Sequence, residues 1–455
     1  MANTYLTRNE VDPQGNRKTF TLSQWIKKTD LGVEGAIFCH RLNNNYYFHI
    51  RFNTDDTLKI QEYANSSQTL NWQSNRKFRD INAWYHIVCA FDTTQATDSN
   101  RIKVYVNGVQ ETSLAAVSYP SQNLDLGIDG GAGYASHYGQ RGDGAMYLGC
   151  VMSHAHYTQG TAYDASAFGS TDATTGEWKI NTAPNVTYGT KGYFILKDGN
   201  SVTDSSSNSN NFSVGGGTLT KTEDCPSNVF CTLNPNHLLG IAPRSGTFSN
   251  GNTKVADANS NWQGCVGTIG AYSGKWYWEY QLVGGTYHMP GIVPDNGNFS
   301  QSGIYTIDYG GMGYSAYVDN GTIRARFNNA DISGWNASGM GNTSFSANDY
   351  INFAVDMDNK FMYIGKNGTW FKSGDPTSGA TGTGGINISA TFTSGIAMLP
   401  AYSNYNGTTG QFNFGNGYIG TTAVSSAGTN ASNNGIFEYD VPSGYTAIST
   451  KGLNL

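Results

Sequence analysis

Apolar residues in this chain alternate with polar ones in short runs, and nearly every run ends in Gly, Asn, Asp or Ser. A period of two is the mark of a strand with one buried face. No stretch carries a sustained i, i+3, i+4, i+7 apolar stripe, so long helices are not expected. TFTLSQWIKK, YYFHIRFN, TLKIQEY and NRIKVYVNG read as strands in the first half, and GKWYWEYQLV, TIRARFNN and KFMYIGKNGTWF in the second. AWYHIVCAFD is apolar on both alternating faces, which requires a central strand covered on two sides. Asn107-Gly108 between apolar residues is a hairpin signal, and DNG at 319–321 and KNG at 366–368 are tight turns.

Composition narrows the class. Charged residues are only 13% of the 455, the net charge is −6, and 57 residues are Gly. Aromatics reach 13%, too many for a disordered chain. No apolar run approaches the ~20 residues that span a bilayer, so membrane insertion is not expected. No basic cluster exists to pair with phosphates, which argues against nucleic acid. MANTYLTRNEVDPQGNRKTF has no apolar core, so no secretion signal is expected. The fold class is therefore all-β: two antiparallel β-sandwich, jelly-roll-like domains joined by a polar linker. The first spans 1–200, the linker 201–239 and the second 240–425. Residues 426–455 form a tail packing on the second domain. The linker is placed by NSVTDSSSNSNNFSVGGGTLTKTEDCPSN, which has too little apolar material for a core.

Six cysteines occur and none forms a CxxC pair, which argues against structural zinc. Cys39, Cys89 and Cys150 lie in strand-like runs and read as buried thiols. Cys225 and Cys231 flank PSNVF, where they either stay reduced or close a short loop.

Two families are recognisable from motifs. Residues 18–25 (KTFTLSQW), 78–91 (FRDINAWYHIVCAF), 101–111 (RIKVYVNGVQE) and 163–171 (YDASAFGST) resemble the concanavalin A-like, laminin-G-like jelly-roll modules of marine phage virion proteins. Residues 274–280 (GKWYWEY), 349–358 (DYINFAVDMD), 362–370 (MYIGKNGTW), 399–402 (LPAY) and 412–415 (FNFG) resemble a SPRY module. The resemblance implies a non-enzymatic virion surface protein, either capsid decoration or a tail fibre component. It would be made in the host cytoplasm and carried on the virion exterior. The implied partners are other virion proteins and host-surface glycans or proteins, and a homo-trimer is one expected assembly. His154 and Gln159 stand where such modules are expected to carry acidic residues, which weakens a metal site at that edge.

Specific side chains are candidates for chemistry. Tyr134, His137 and Tyr138 in GGAGYASHYGQRG, and Trp335, Tyr402 and Tyr405 in SGWNAS and YSNYNG, are candidate sugar platforms, because pyranose C–H faces pack on aromatic rings. Asp125, Asp129 and Asp143 beside flexible glycines are candidate calcium ligands, although ordinary Asp-Gly turns use the same residues. His154 and His156 share a strand face. Met146, Leu148, Cys150 and Met152 have the same parity, so that face reads as mostly buried. Arg141-Gly142-Asp143 is too short a match to imply a receptor. Glucanases of the concanavalin A-like fold set Glu-x-Asp-x-x-Glu on one strand, with acid and nucleophile about 5–5.5 Å apart. Glu10 with Asp12 and Glu438 with Asp440 begin that pattern, but Gly15 and Ser443 end it. A polysaccharide-degrading enzyme is thus the weaker alternative. A bacterial cell-surface adhesin or lectin is another, and it would need a secretion signal or wall anchor.

Overall fold

The computed structural model describes residues 3–11, 15–239, 246–257, 262–297 and 306–454. Asp12 of the carboxylate scan and the expected domain start at 240 lie outside them. The chain divides into two compact units, residues 1–220 with 225–227, and residues 221–224 with 228–455. Both are antiparallel β-sandwiches.

The first unit stacks an eight-stranded sheet on a six-stranded one. The larger runs in the order Leu114–Ser118, Ser67–Lys77, Thr57–Ala64, Tyr46–Phe52, Gly35–Asn43, Ala135–Tyr138, Tyr5–Asn9, Ser213–Gly216. The smaller runs Tyr193–Ile195, Cys150–Gln159, Thr19–Lys28, Tyr85–Asp92, Ile102–Val106, Val109–Gln110. Phe20, Phe48, Ile60, Trp72 and Phe91 fill the space between them. Tyr85–Asp92 is central, as its two-sided apolar pattern requires: Ile87, Cys89 and Phe91 face the core. On its other side Val88 lies beneath Ala165 and Phe168.

Two expectations change in this unit. The stretch read as a tether is not a free linker. Phe212 enters the core, Ser213–Gly216 extends the eight-stranded sheet along Tyr5–Asn9, and Asp204 accepts from Phe194 N at 2.9 Å. Low apolar content misled because sheet pairing uses backbone groups, which every residue carries. Within 201–239, the later part belongs to the second unit, where Leu233–Leu239 is an edge strand. His154 and His156 are buried as expected, at 9% and 2% exposure, but not on the face that their parity with Cys150 and Met152 implied. Register shifts between Ser153 and His156, and His154 sits at φ 48°, a β-bulge. Cys150 and Met152 pack on the core, while the two histidines turn to the outer face. There His156 stacks on Phe194 at 3.9 Å and its Nδ1 lies 3.0 Å from Tyr188 Oη.

The second unit also stacks two sheets. One runs Leu233–Leu239, Gln263–Gly267, Met398–Tyr405, Tyr287–Pro294, Tyr314–Asp319, Thr322–Phe327, Ala330–Asp331. The other is built on Lys275–Gly284 between Thr409–Asn413 and Tyr350–Asp356. Trp276, Trp278 and Tyr280 point into the core, and Tyr277 points out. The outward face is covered by Phe437, Val441, Tyr445 and Ala447 of the C-terminal segment. Thr446–Ala447 pairs in parallel with Lys275–Gly284. The Asn-Gly signals are all tight turns: Asn107/Gly108, Asn320/Gly321 and Asn367/Gly368 have both φ values positive, between 47° and 81°. Cys225 and Cys231 are not joined by a disulfide; Cys231 is buried and Cys225 Sγ is 3.4 Å from Ser227 Oγ.

Close sheet contact makes one glycine obligatory. A Cβ on Gly291 would stand 2.1 Å from the Tyr314 carbonyl oxygen on the neighbouring strand. Gly291→Ala is expected to destabilise the second unit by about 1–3 kcal/mol, the usual cost of overpacking. Thermal melting checks this, and an unchanged midpoint would refute it.

Candidate functional site

The strand Tyr46–Phe52 turns Phe48, Ile50 and Phe52 inward, so Tyr47, His49 and Arg51 face outward. Its neighbour Thr57–Ala64 turns Leu58 and Ile60 inward and presents Lys59, Gln61 and Tyr63. Register aligns these residues directly: Tyr47 opposes Tyr63, His49 opposes Gln61 and Arg51 opposes Lys59. The next strand sets Asn71 opposite Gln61 and Gln73 opposite Lys59. On the other side His49 faces Cys39, which in turn faces His137. The outer face of the eight-stranded sheet is therefore a grid of polar and aromatic side chains.

Several of its polar atoms lack partners among the described residues. His49 Nε2 lies 3.2 Å from Gln61 Oε1, an acceptor, so Nε2 carries the proton. His49 Nδ1 is then a lone-pair acceptor, buried and without a partner. Asn71 Oδ1 and Arg51 Nε are likewise buried and unpaired. Burial holds the His49 pKa down to about 4, so the ring is neutral near pH 7. Burial also lowers the pKa of Arg51 and Lys59, and the Arg51 charge adds to the effect on Lys59. The Tyr47 and Tyr63 rings stack at 5.0 Å and 21°, both half-buried. Arg51 is paired with Glu34 at the rim. Such a face offers neutral donors and acceptors beside aromatic carbon, which suits a hydroxyl-rich ligand.

The sequence-based candidates are distributed differently. Tyr138 is in the core, with its Oη 3.1 Å from Tyr193 Oη. Its Gly-rich segment contains a short strand, Ala135–Tyr138, which turns the ring inward instead of leaving it in a loop. His137, on the same strand, points to the outer face under Gly142, where a Cβ would meet its ring at 2.9 Å. Tyr134 stacks on buried His40 at 5.2 Å and 12°. Trp335 and Tyr402 are core residues, and Tyr402 Oη accepts from Tyr280 Oη at 2.9 Å. Tyr405 alone of that group joins a surface cluster. It stacks on Trp262 at 5.5 Å and meets Tyr287 edge-on at 5.2 Å, with Tyr317 and the Arg324 guanidinium beside them.

The three aspartates do not converge. Asp125 is exposed. Asp129 is buried, accepting from Tyr157 Oη and from Gln159 Nε2, and burial raises its pKa to about 6. Asp143 binds Arg41 at 2.9 Å and Arg141 at 2.5 Å. The Arg-Gly-Asp triplet is thus closed on itself. Among the described residues no group of three or more His, Cys, Asp or Glu is placed to hold a metal ion. No described helix is long and apolar enough to cross a membrane.

Sequence reasoning missed Tyr47, His49, Gln61, Tyr63 and Asn71, because it looked for recognition in loops. The available signal was the polar half of the alternation in YYFHIRF and TLKIQEYA.

Residues 2–147, which include this grid, match the family model of the concanavalin A-like lectin/glucanases superfamily. The match covers less than half of the chain. No curated protein matches the chain. Among solved structures it is similar to the TRIM65 PSpry domain, at 13% identity, 40% of this chain, 88% of that chain and a TM-score of 0.30. The SPRY domain of human HERC1 is similar at 12% identity, 40% and 96% coverage and a TM-score of 0.27. The heptameric SAP-like pentraxin of Limulus polyphemus is similar at 19% identity, 35% and 71% coverage and a TM-score of 0.26.

Proposed function

We propose that this chain is a non-catalytic binding protein that holds glycans on the outer face of the eight-stranded sheet in its first unit. The observation that carries this reading is the set of unpaired His49 Nδ1, Asn71 Oδ1 and Arg51 Nε beside the Tyr47–Tyr63 stack. An unpaired buried polar atom costs about 1–3 kcal/mol, and ligand hydroxyls recover that cost. The acidic side chains favour binding over hydrolysis, because they serve the fold. Glu10 is bound by Arg8 at 2.7 Å, and Glu111 by Arg76 at 2.6 Å. Glu62 accepts from Gly127 N at 2.5 Å.

A glycan array with the full chain tests the reading. Tyr63→Ala and Asn71→Ala are each expected to weaken binding about tenfold, the loss of one ring contact or one hydrogen bond. A reducing-sugar assay on the bound glycans is expected to stay flat. Binding unaffected by both substitutions, or release of reducing ends, would overturn it.

The finer reading places this protein on a phage virion exterior, as capsid decoration or part of a tail fibre, assembled there with other virion proteins. Its support is the motif resemblance and the low charge with high Gly and Tyr content. Immunogold labelling of released particles decides it: label on capsid or tail supports the placement, and unlabelled particles reject it.

A further inference from the structure

The two ends of the outer grid differ in charge. Arg51 directly opposes Lys59 across the strand pair, and like charges in that position destabilise a sheet. The strands Tyr46–Phe52, Thr57–Ala64 and Ser67–Lys77 bring no acid to this face to compensate. The one carboxylate they carry, Glu62, is 1% exposed and turns inward, where its Oε1 accepts from Gly127 N at 2.5 Å. Glu34 reaches Arg51 from the rim, but at the terminal Nη1, and Arg51 Nε stays buried and unpaired. Among the described residues no carboxylate acts on half-buried Lys59; burial and the Arg51 charge both lower its pKa. Arg41 and Arg141 likewise share one carboxylate, Asp143. A chain with a net charge of −6 thus carries a local excess of cations on this one face.

A sugar hydroxyl would satisfy Arg51 Nε but leave the two charges opposed. An anionic group answers both. Its several acceptor oxygens take Arg51 Nε and the Lys59 ammonium together, in charge-assisted bonds roughly twice as strong as neutral ones. Where that group falls along the ligand follows from the strand. Tyr47 and Arg51 are four residues apart, about 13 Å at the rise of a strand. The Tyr47–Tyr63 stack and the cation pair therefore meet different sugar units, with the His49, Gln61 and Asn71 row between them.

We propose that the Arg51–Lys59 end of this face is a subsite for an anionic sugar, one that carries a carboxylate or a sulfate ester, so that the ligand is an acidic oligosaccharide lying along the strands with another of its units on the tyrosines. The proposal rests on the glycan reading of the same face and names the class of glycan.

The test measures binding of the full chain to paired oligosaccharides. Galacturonate-, glucuronate- and sulfate-bearing sugars are each set beside a neutral counterpart, with the carboxyl reduced to an alcohol or the sulfate removed. The acidic member of a pair is expected to bind about tenfold more tightly, the usual size of one charge-assisted hydrogen bond, and to lose that margin as salt is raised. Which pairs show the margin tells carboxylate from sulfate. Lys59→Gln relieves a like-charge pair, so the fold is expected to tolerate it. It is expected to abolish the margin and leave the neutral members unchanged, while Lys59→Arg keeps the margin and Tyr63→Ala weakens both members alike. Equal binding of acidic and neutral members, or a margin that survives in Lys59→Gln, overturns the proposal and leaves the glycan reading standing. If no sugar is bound, in these pairs or on the array, both fall.

Discussion

Lowering the pH from 7 to 5 is expected to destabilise the first unit strongly while leaving the second largely unaffected. His40, His49, His86 and His156 are each at most 2% exposed. Burial lowers their pKa values to about 3 for His40, about 4 for His49 and about 3 for His86, and well below the ordinary value for His156. Their hydrogen bonds suit the neutral ring. His86 Nδ1 accepts from Trp178 Nε1 at 2.9 Å, so its Nε2 proton goes to Ser23 Oγ at 2.9 Å. In the unfolded chain each histidine takes up a proton near pH 6.5. Their stabilising contribution is thus complete above pH 6.5 and is lost as the pH falls toward the folded values. At pH 5 each such ring costs about 2 kcal/mol, so four cost on the order of 8 kcal/mol.

Two carboxyls oppose this. Burial raises Glu62 to about 7 and Asp129 to about 6. They hold protons in the fold that the unfolded chain releases, and so gain about 4 kcal/mol in total at pH 5. The net loss, on the order of 4 kcal/mol, is a large share of a typical domain's stability. In the second unit His288, lowered to about 4, is offset by Glu279, raised to about 7. Hydrogen exchange read along the chain at pH 7 and pH 5 separates the two units. Equal protection of the first unit at both values would reject the prediction.

Glu279→Ala is expected to strip the C-terminal segment from the second unit. Glu279 is 0% exposed, and its carboxyl accepts from Glu438 N at 2.9 Å, Tyr439 N at 2.8 Å, Asn413 Nδ2 at 3.1 Å and Tyr277 Oη at 3.1 Å. Two of those donors are backbone groups of the tail itself. Removing the carboxyl leaves them buried without acceptors, at about 1–3 kcal/mol each. A loss of about 4 kcal/mol corresponds to a fall of roughly 10 °C in the melting point of a unit this size. Limited proteolysis is expected to cut the variant between 425 and 445 first, exposing Phe437, Val441 and Tyr445. Glu279→Gln, which keeps one acceptor oxygen, is expected to lose less. A protease-resistant tail in Glu279→Ala would show that the apolar contacts alone hold it.

What could be read from residues was what local backbone chemistry dictates. Asn107-Gly108, Asn320-Gly321 and Asn367-Gly368 turn where they were expected to, because few residue pairs accept two successive positive φ values. AWYHIVCAFD lies at the sheet centre because apolar side chains on both faces need cover on both. GKWYWEYQLV likewise forms the strand that was expected, with Trp276, Trp278 and Tyr280 on its inner face.

Site residues were harder to read, because an aromatic ring in a Gly-rich stretch looks the same whether its strand turns it outward or inward. Tyr138 and Tyr402 proved to be core residues, and Tyr47 and Tyr63 proved to be surface ones. One bulge at His154 reversed a whole parity argument, since a single extra residue flips every later side chain to the other face.

The alternation of apolar residues and the turn-forming pairs determined, by themselves, that this protein is two antiparallel sandwiches. Those signals act over a few residues and concern backbone geometry and burial. Which polar side chains stand together as His49, Gln61 and Asn71, and which lone pairs stay empty, was decided only in the tertiary structure. Strand register joins residues distant in sequence, and hydrogen-bond satisfaction depends on every neighbour that register supplies.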